Sequence, residues 1–185
     1  DQMRDGLPEM VDKTQFQVGG NLANTPGKVI FRNELIELIQ YEPMTKEVHE
    51  IPIVITPPWI NKFYILDLKP KKSFVLNLIS QGYTVFVISW KNPTKEMRNT
   101  SMDDYLSLGP LKAIDVAKAI TKSKQVHAVG YCIGGTLLAS AMASLNHPDN
   151  PQNGSVKDWT LLTTLVEFER PGELGSFITE ESLEY

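Results

Sequence analysis

The stretch Val126-His127-Ala128-Val129-Gly130-Tyr131-Cys132-Ile133-Gly134-Gly135 constrains this chain more than any other. Apolar residues lead into a small-x-nucleophile-x-small turn, and a helix-favouring run, Thr136-Leu137-Leu138-Ala139-Ser140-Ala141-Met142-Ala143, follows. That order reads as a strand, a tight turn and a helix, with one reactive side chain lifted above the strand end: a nucleophile elbow. Glycines flank the turn because a Cβ at either place crowds a strained backbone. The apex residue is Cys132, the chain's single cysteine. A lone cysteine is most often packed as a small apolar residue. Its place between Gly130 and Gly134-Gly135 favours the nucleophile. The helix N-terminus behind it favours the thiolate, and the Ile133 amide points into the same space as an oxyanion donor.

The elements around the elbow fix the fold class. Residues 1–27 are polar and rich in Gly, Asn and Pro, and read as an irregular N-terminal arm packed on a body elsewhere. Residues 28–32 and 35–41 read as two strands of a hairpin joined at Asn33-Glu34. Residues 51–56 form a short apolar strand stopped by Pro57-Pro58. A helix over 73–80 follows, closed by Gly82, and residues 83–90 are a strand apolar on both faces. Asp103 or Asp104 caps a long helix to about Lys122, kinked at Gly109-Pro110. Strand 125–131, helix 133–145 and strand 159–165 complete the series. From Ile51 the order is β-α-β-α-β-α-β, which gives a right-handed parallel sheet with helices on both faces. A leading hairpin before this alternation suits the first six strands of an α/β-hydrolase fold. Residues 28–185 are then the N-terminal portion of such a catalytic domain, incomplete, truncated after about the sixth strand, with the lid and C-terminal strands missing.

Composition narrows the function. With 185 residues, 42% of them hydrophobic, the chain is one globular domain or a piece of one. A net charge of −4 gives no basic footprint for nucleic acid. No apolar run approaches the ~18 residues of a transmembrane span. One cysteine excludes an internal disulfide and fits a reducing compartment. The opening residues form no signal peptide, and both ends read as cut from something longer.

The rest of a catalytic site is thin. In this fold a second oxyanion amide comes from the loop after the third strand, here Pro57-Pro58-Trp59-Ile60-Asn61-Lys62. Proline has no N–H, so the donor is Trp59, Ile60 or a neighbour, with Ile60 the choice; a rigid turn with Trp59 as core is the bland alternative. His127 is five residues before Cys132 on the same strand, ~16 Å away along an extended chain. His49 and His147 fall on the side away from the elbow, so all three histidines read as structural or solvent-exposed. The acid and base of this fold follow the nucleophile on later strands, which the chain lacks. Pro26-Gly27-Lys28-Val29 fails as a phosphate loop, because Ala23 replaces its first glycine and Val29 its Ser/Thr. No cluster has metal-ligand spacing.

Six blocks then carry a family resemblance: Thr25-Pro26-Gly27-Lys28-Val29, Gln40-Tyr41, the run from Pro57-Pro58-Trp59 to Asp67-Leu68, Val87 to Pro93, Asp103-Asp104-Tyr105, and Gly130-Tyr131-Cys132-Ile133-Gly134-Gly135-Thr136. In that order they resemble the polyhydroxyalkanoate synthases, the class I poly(3-hydroxybutyrate) polymerases in particular. The resemblance implies that Cys132 matches the family's catalytic cysteine and carries (R)-3-hydroxyacyl groups and the growing polyester as thioesters, releasing CoA. It implies an activating histidine and an assisting aspartate C-terminal to this segment, acyl-CoA as substrate rather than cofactor, a homodimer, and a cytoplasmic enzyme at the polymer granule surface. The segment alone is then expected to be inactive. A thioesterase or depolymerase of the same fold with a cysteine nucleophile is the first alternative, and a non-catalytic assembly fragment the second.

Overall fold

A computed structural model describes residues 3–4, 7–8, 11–170, 172–177 and 179. Its centre is a six-stranded sheet of β1 (Gly27–Arg32), β2 (Ile36–Tyr41), β3 (Ile53–Thr56), β4 (Val85–Trp90), β5 (Val126–Tyr131) and β6 (Val156–Leu162). The spatial order is β6-β5-β3-β4-β2-β1. β3, β4, β5 and β6 are mutually parallel where they pair, whereas β1–β2 and β2–β4 are antiparallel. This is the α/β-hydrolase architecture expected from the order of elements.

The hairpin turn is built by Asn33, as its position predicts. Its Oδ1 accepts from the amides of Leu35 and Ile36 at 2.9 and 2.8 Å, a local side-chain turn that needs no glycine. The parallel strands alternate between two cores with period two. Val54, Phe86, Ile88 and Ala128 join one core with α3 (Lys112–Thr121) and α4 (Ile133–Leu145). Ile53, Ile55, Val85, Val87 and Val129 join the other, with α1 (Phe74–Ser80). Burial on both faces explains why these strands are apolar throughout rather than alternating.

Three expectations are corrected. The helix expected from Asp103 or Asp104 to Lys122 is capped by Ser101 instead. Its hydroxyl accepts from the Asp104 amide, and the Asp104 carboxylate accepts from the Ser101 amide and hydroxyl, a capping box. The helix is also broken: α2 (Met102–Leu106) runs into a π turn at Ser107–Leu111 before α3, with Gly109 at φ −92°, ψ −107°. The kink at Gly109-Pro110 is as expected. The last strand lies at Val156–Leu162 rather than 159–165, because Thr163 turns to φ 47° and ends it.

A short 3-10 helix at Phe63–Leu66 and a small ladder joining Asp67–Lys69 to Lys72–Ser73 lie outside the expected elements. Buried Asp67 organises both the ladder and the arm. Its carboxylate accepts from the hydroxyls of Thr25 and Ser73, each at 2.6 Å, and its carbonyl accepts from the Ala23 amide at 2.9 Å. Ser73 in turn caps α1 by accepting from the Leu76 amide at 2.8 Å. Among the described residues no helix is long and apolar enough to cross a membrane.

Candidate active site

Cys132 stands between the end of β5 and the start of α4, free and exposed. Its backbone is at φ 54°, ψ −129°, a region non-glycine residues rarely occupy. Such a residue persists only where its surroundings force it. Here the forcing contacts are countable. The Cys132 amide donates to the Leu162 carbonyl at 2.9 Å, and its carbonyl accepts from the Gly135 amide at 2.8 Å, the Thr136 amide at 3.3 Å and the Thr164 hydroxyl at 3.3 Å.

The neighbouring glycines allow three close approaches. A Cβ on Gly130 would lie 2.5 Å from the Gly135 Cα. One on Gly134 would lie 2.4 Å from the Thr56 carbonyl oxygen and 2.5 Å from that of Pro57. One on Gly135 would lie 2.0 Å from the Thr164 Oγ1. The turn is therefore pressed against the end of β3 on one side and the segment after β6 on the other.

Ile133 is the first residue of α4, so its amide lies outside the helix's own hydrogen-bond ladder, at the positive end of the helix dipole. Ile60 lies in the loop after β3 and is 71% exposed. Among the described residues, the amides of Trp59, Ile60 and Asn61 donate to no protein acceptor. That loop is held elsewhere. The Trp90 indole Nε1 donates to the Pro57 carbonyl at 2.7 Å. Trp59, half-buried, packs its ring against Tyr105 at 5.0 Å and edge-on to Trp90 at 5.9 Å. Trp59 is thus half-buried in an aromatic cluster outside the two cores, while the amides beside it stay free.

A cleft of about 310 Å³ opens beside this loop, lined by Trp59, Asn61, Lys62, Tyr64, Trp90 and Asn92 among others. The Lys62 ammonium donates to the Asn92 side-chain oxygen, and the lining holds no carboxylate. The cleft therefore offers donors and aromatic faces to an acceptor-rich ligand.

The histidines fall where their spacing predicts. His127 is at the start of β5, its Nδ1 2.8 Å from Asp158 Oδ1 at the start of β6. His49 precedes β3, stacks on Tyr83 with ring centroids 4.4 Å apart, and has its Nε2 3.2 Å from the Gln81 carbonyl oxygen. His147 follows α4, and its Nδ1 accepts from the Asp149 amide at 3.3 Å. All three belong to the edge where the parallel strands begin, whereas Cys132 is at the edge where they end. Asp103 is exposed on α2, and Asp104 is engaged in its cap. Among the described residues no group of three His, Cys, Asp or Glu side chains is placed to hold a metal ion.

Comparison with known proteins places this geometry in a lineage. Residues 2–78 match the family described as the N-terminus of poly-beta-hydroxybutyrate polymerase (PhaC). The poly(3-hydroxyalkanoate) polymerase subunit PhaC of Cupriavidus necator is 42% identical over 175 residues, 95% of this chain and 29% of that protein. The poly(3-hydroxyalkanoate) polymerase of Methylorubrum extorquens is 48% identical over 169 residues, 91% of this chain and 27% of that one. The chain thus spans less than a third of the length of these relatives. Among solved structures, a protein assigned as a lipase from Sulfolobus solfataricus superposes with a TM-score of 0.57 at 15% identity, covering 75% of this chain and 43% of that one. A sugar hydrolase from Lactococcus lactis does so at 0.50 and 17%, covering 85% and 62%. Identity that low speaks for the fold alone. The sequence relatives go further, for their matches run through the elbow as well as the hairpin: over nearly its whole length the chain is similar to part of the poly(3-hydroxyalkanoate) polymerases.

Proposed function

We propose that the intact protein is an acyltransferase that polymerises (R)-3-hydroxyacyl-CoA, 3-hydroxybutyryl-CoA in the first instance, through a thioester on Cys132. The observation that carries this reading is the positive-φ Cys132 at the strand–helix junction, with Gly130 before it and Gly134-Gly135 after it in close contact with their surroundings. The Cys132 thiolate attacks the substrate thioester carbonyl; a carbon–sulfur bond to the protein forms, the bond to CoA breaks, and CoA leaves with a proton. The hydroxyl of a second hydroxyacyl group then attacks the Cys132 thioester. An ester bond forms, the Cys132 carbon–sulfur bond breaks, and the hydroxyl proton passes to a base. Thioester-to-thiol transfer is close to isoenergetic, so the acyl group is trapped on neither sulfur. A serine ester would lie lower and make onward transfer less favourable.

The amides of Ile133 and Ile60 serve as oxyanion donors for both tetrahedral intermediates. Residues 28–185 are the N-terminal portion of the catalytic domain and 1–27 its arm. The base is a histidine assisted by an aspartate from the remaining length of the enzyme, since the three histidines here occupy the opposite edge of the sheet. Acyl-CoA is the substrate, and no resident cofactor takes part. The intact enzyme works in the cytoplasm as a homodimer at the surface of the polymer granule, and neither nucleic acid nor a membrane span enters its function.

The test supplies 3-hydroxybutyryl-CoA to the full-length protein, wild type and Cys132→Ala. Polymer with CoA release, lost in Cys132→Ala, supports the synthase. Free hydroxy acid in place of polymer identifies a hydrolase of the same fold.

A further inference from the structure

We infer that Trp90 is a positioning residue that sets the loop at 57–61 against the elbow, and so fixes the second oxyanion donor. The inference rests on the mechanism proposed above. Pro57 and Pro58 have no N–H groups, so the start of this loop cannot tie itself down through its own amides. The amides of Trp59, Ile60 and Asn61 are likewise unengaged among the described residues. What the loop offers as a handle is the Pro57 carbonyl. The Trp90 indole takes it at 2.7 Å. The same oxygen faces Gly134, in the first turn of the elbow helix, where a Cβ would come within 2.5 Å of it. The Pro57 carbonyl is therefore held between an indole N–H and the helix that begins one residue after Cys132. That sandwich sets the gap between the loop's free amides and the Ile133 amide.

Trp90 is itself fixed. A Cβ on Gly109 would lie 2.4 Å from the far edge of its ring, so only glycine fits there. The helix pair breaks into its π turn at Ser107–Leu111 around this contact. π turns interrupt helical hydrogen bonding and are frequent at functional sites. Tyr105, with its ring centroid 5.3 Å away, and Trp59 close the remaining sides. A residue needed only to fill the core would not require a polar atom aimed at one loop carbonyl.

The test uses the full-length enzyme with 3-hydroxybutyryl-CoA under single-turnover conditions. Wild type forms a thioester that Cys132→Ala does not. Trp90→Phe keeps an aromatic ring, though a smaller one, and lacks the donor; it is expected to slow acylation about 10- to 100-fold, with the substrate concentration for half-maximal acylation rate changed less than about twofold. Alkylation of Cys132 by iodoacetamide passes through no oxyanion, so its rate should stay at the wild-type value. Gly109→Ala, which displaces the ring, should reproduce the slow acylation. In Trp90→Phe/Gly109→Ala the two effects should not add, because the smaller ring removes the clash.

Acylation at the wild-type rate in Trp90→Phe overturns the inference. So does a parallel loss of acylation and alkylation, which marks a structural role only. If Trp90→Phe does not fold, site-specific replacement by benzothienylalanine, the same shape without the N–H, decides the question by the same readouts. A wild-type enzyme that forms no Cys132 thioester defeats the underlying mechanism itself and this inference with it, an outcome distinct from the others.

Discussion

Gly134 lies against Pro57 so closely that a methyl group on the first would come within 2.5 Å of the carbonyl oxygen of the second. The contact is between the elbow helix and the loop after β3, and both surfaces are backbone. Neither can yield as the end of a flexible side chain would. Gly134→Ala is expected to leave the enzyme folded by circular dichroism but to lower the rate of CoA release by about 10²-fold, the scale of a ~1 Å misplacement of reacting groups. Gly154→Ala is the control. It is strained at φ 79° but has no atom within 4 Å of the added methyl, so it costs about 1 kcal/mol in denaturant unfolding and leaves CoA release unchanged.

The histidines give a negative prediction. Loss of a general base costs roughly 10²- to 10⁴-fold in rate. His49→Ala, His127→Ala and His147→Ala, each in the full-length enzyme, should keep CoA release within about twofold of wild type. A drop of a hundredfold in any one would move the base onto this segment and refute the separation of the two sheet edges.

Ser101 and Asp104 form a capping box at the entrance to α2. Ser101→Ala should destabilise the enzyme by about 1 kcal/mol in denaturant unfolding at neutral pH. The backbone N–H of Ser101, and then its hydroxyl, hold the Asp104 carboxyl below its ordinary range. A depressed carboxylate pKa contributes stability above the unfolded-state value, lost as pH falls through the folded-state value. The gap between wild type and Ser101→Ala should accordingly narrow in acid and stay constant through neutrality; a constant gap at every pH would contradict the assignment.

Tyr41 makes the opposite prediction at high pH. Burial pushes its phenol up, and the nearby Asp67 charge adds to the effect. The folded state therefore keeps the proton after the unfolded chain has released it. Its contribution is complete below the ordinary phenol range near pH 10 and is lost as pH rises beyond it. Tyr41→Phe should flatten the alkaline limb of the stability–pH curve without altering the acid limb.

What the sequence discloses depends on how far apart the interacting residues lie. The elbow, the Asn33 turn and the Ser73–Ser80 helix rest on neighbours within a few positions, and each is legible from the chain alone. Apolar runs on 51–56 and 83–90 give the buried parallel strands for the same reason, since burial on both faces leaves a local mark. The Asp67 hub joins residues 42 positions apart, and nothing around Thr25 announces its partner. The kink at Gly109-Pro110 is visible in the residues, but its fit to the Trp90 ring is not. Ser101 takes the cap expected of an aspartate because Asp104 serves better three residues on, as the reciprocal acceptor. Of the candidate site, Cys132 and Ile133 come from the motif and the loop holding Ile60 from its place after the third strand, whereas only the loop's shape shows that its amides are unengaged.

The close contacts at the elbow bring Thr56, Pro57, Leu138 and Thr164 against three glycines, and none of those contacts is made through the side chain of residue 132. Holder and reagent are consequently separable. The same socket would present an oxygen as readily as a sulfur, and one codon decides whether the captured acyl group sits in a shallow or a deep energy well. A turn held in this way can exchange its nucleophile without being rebuilt.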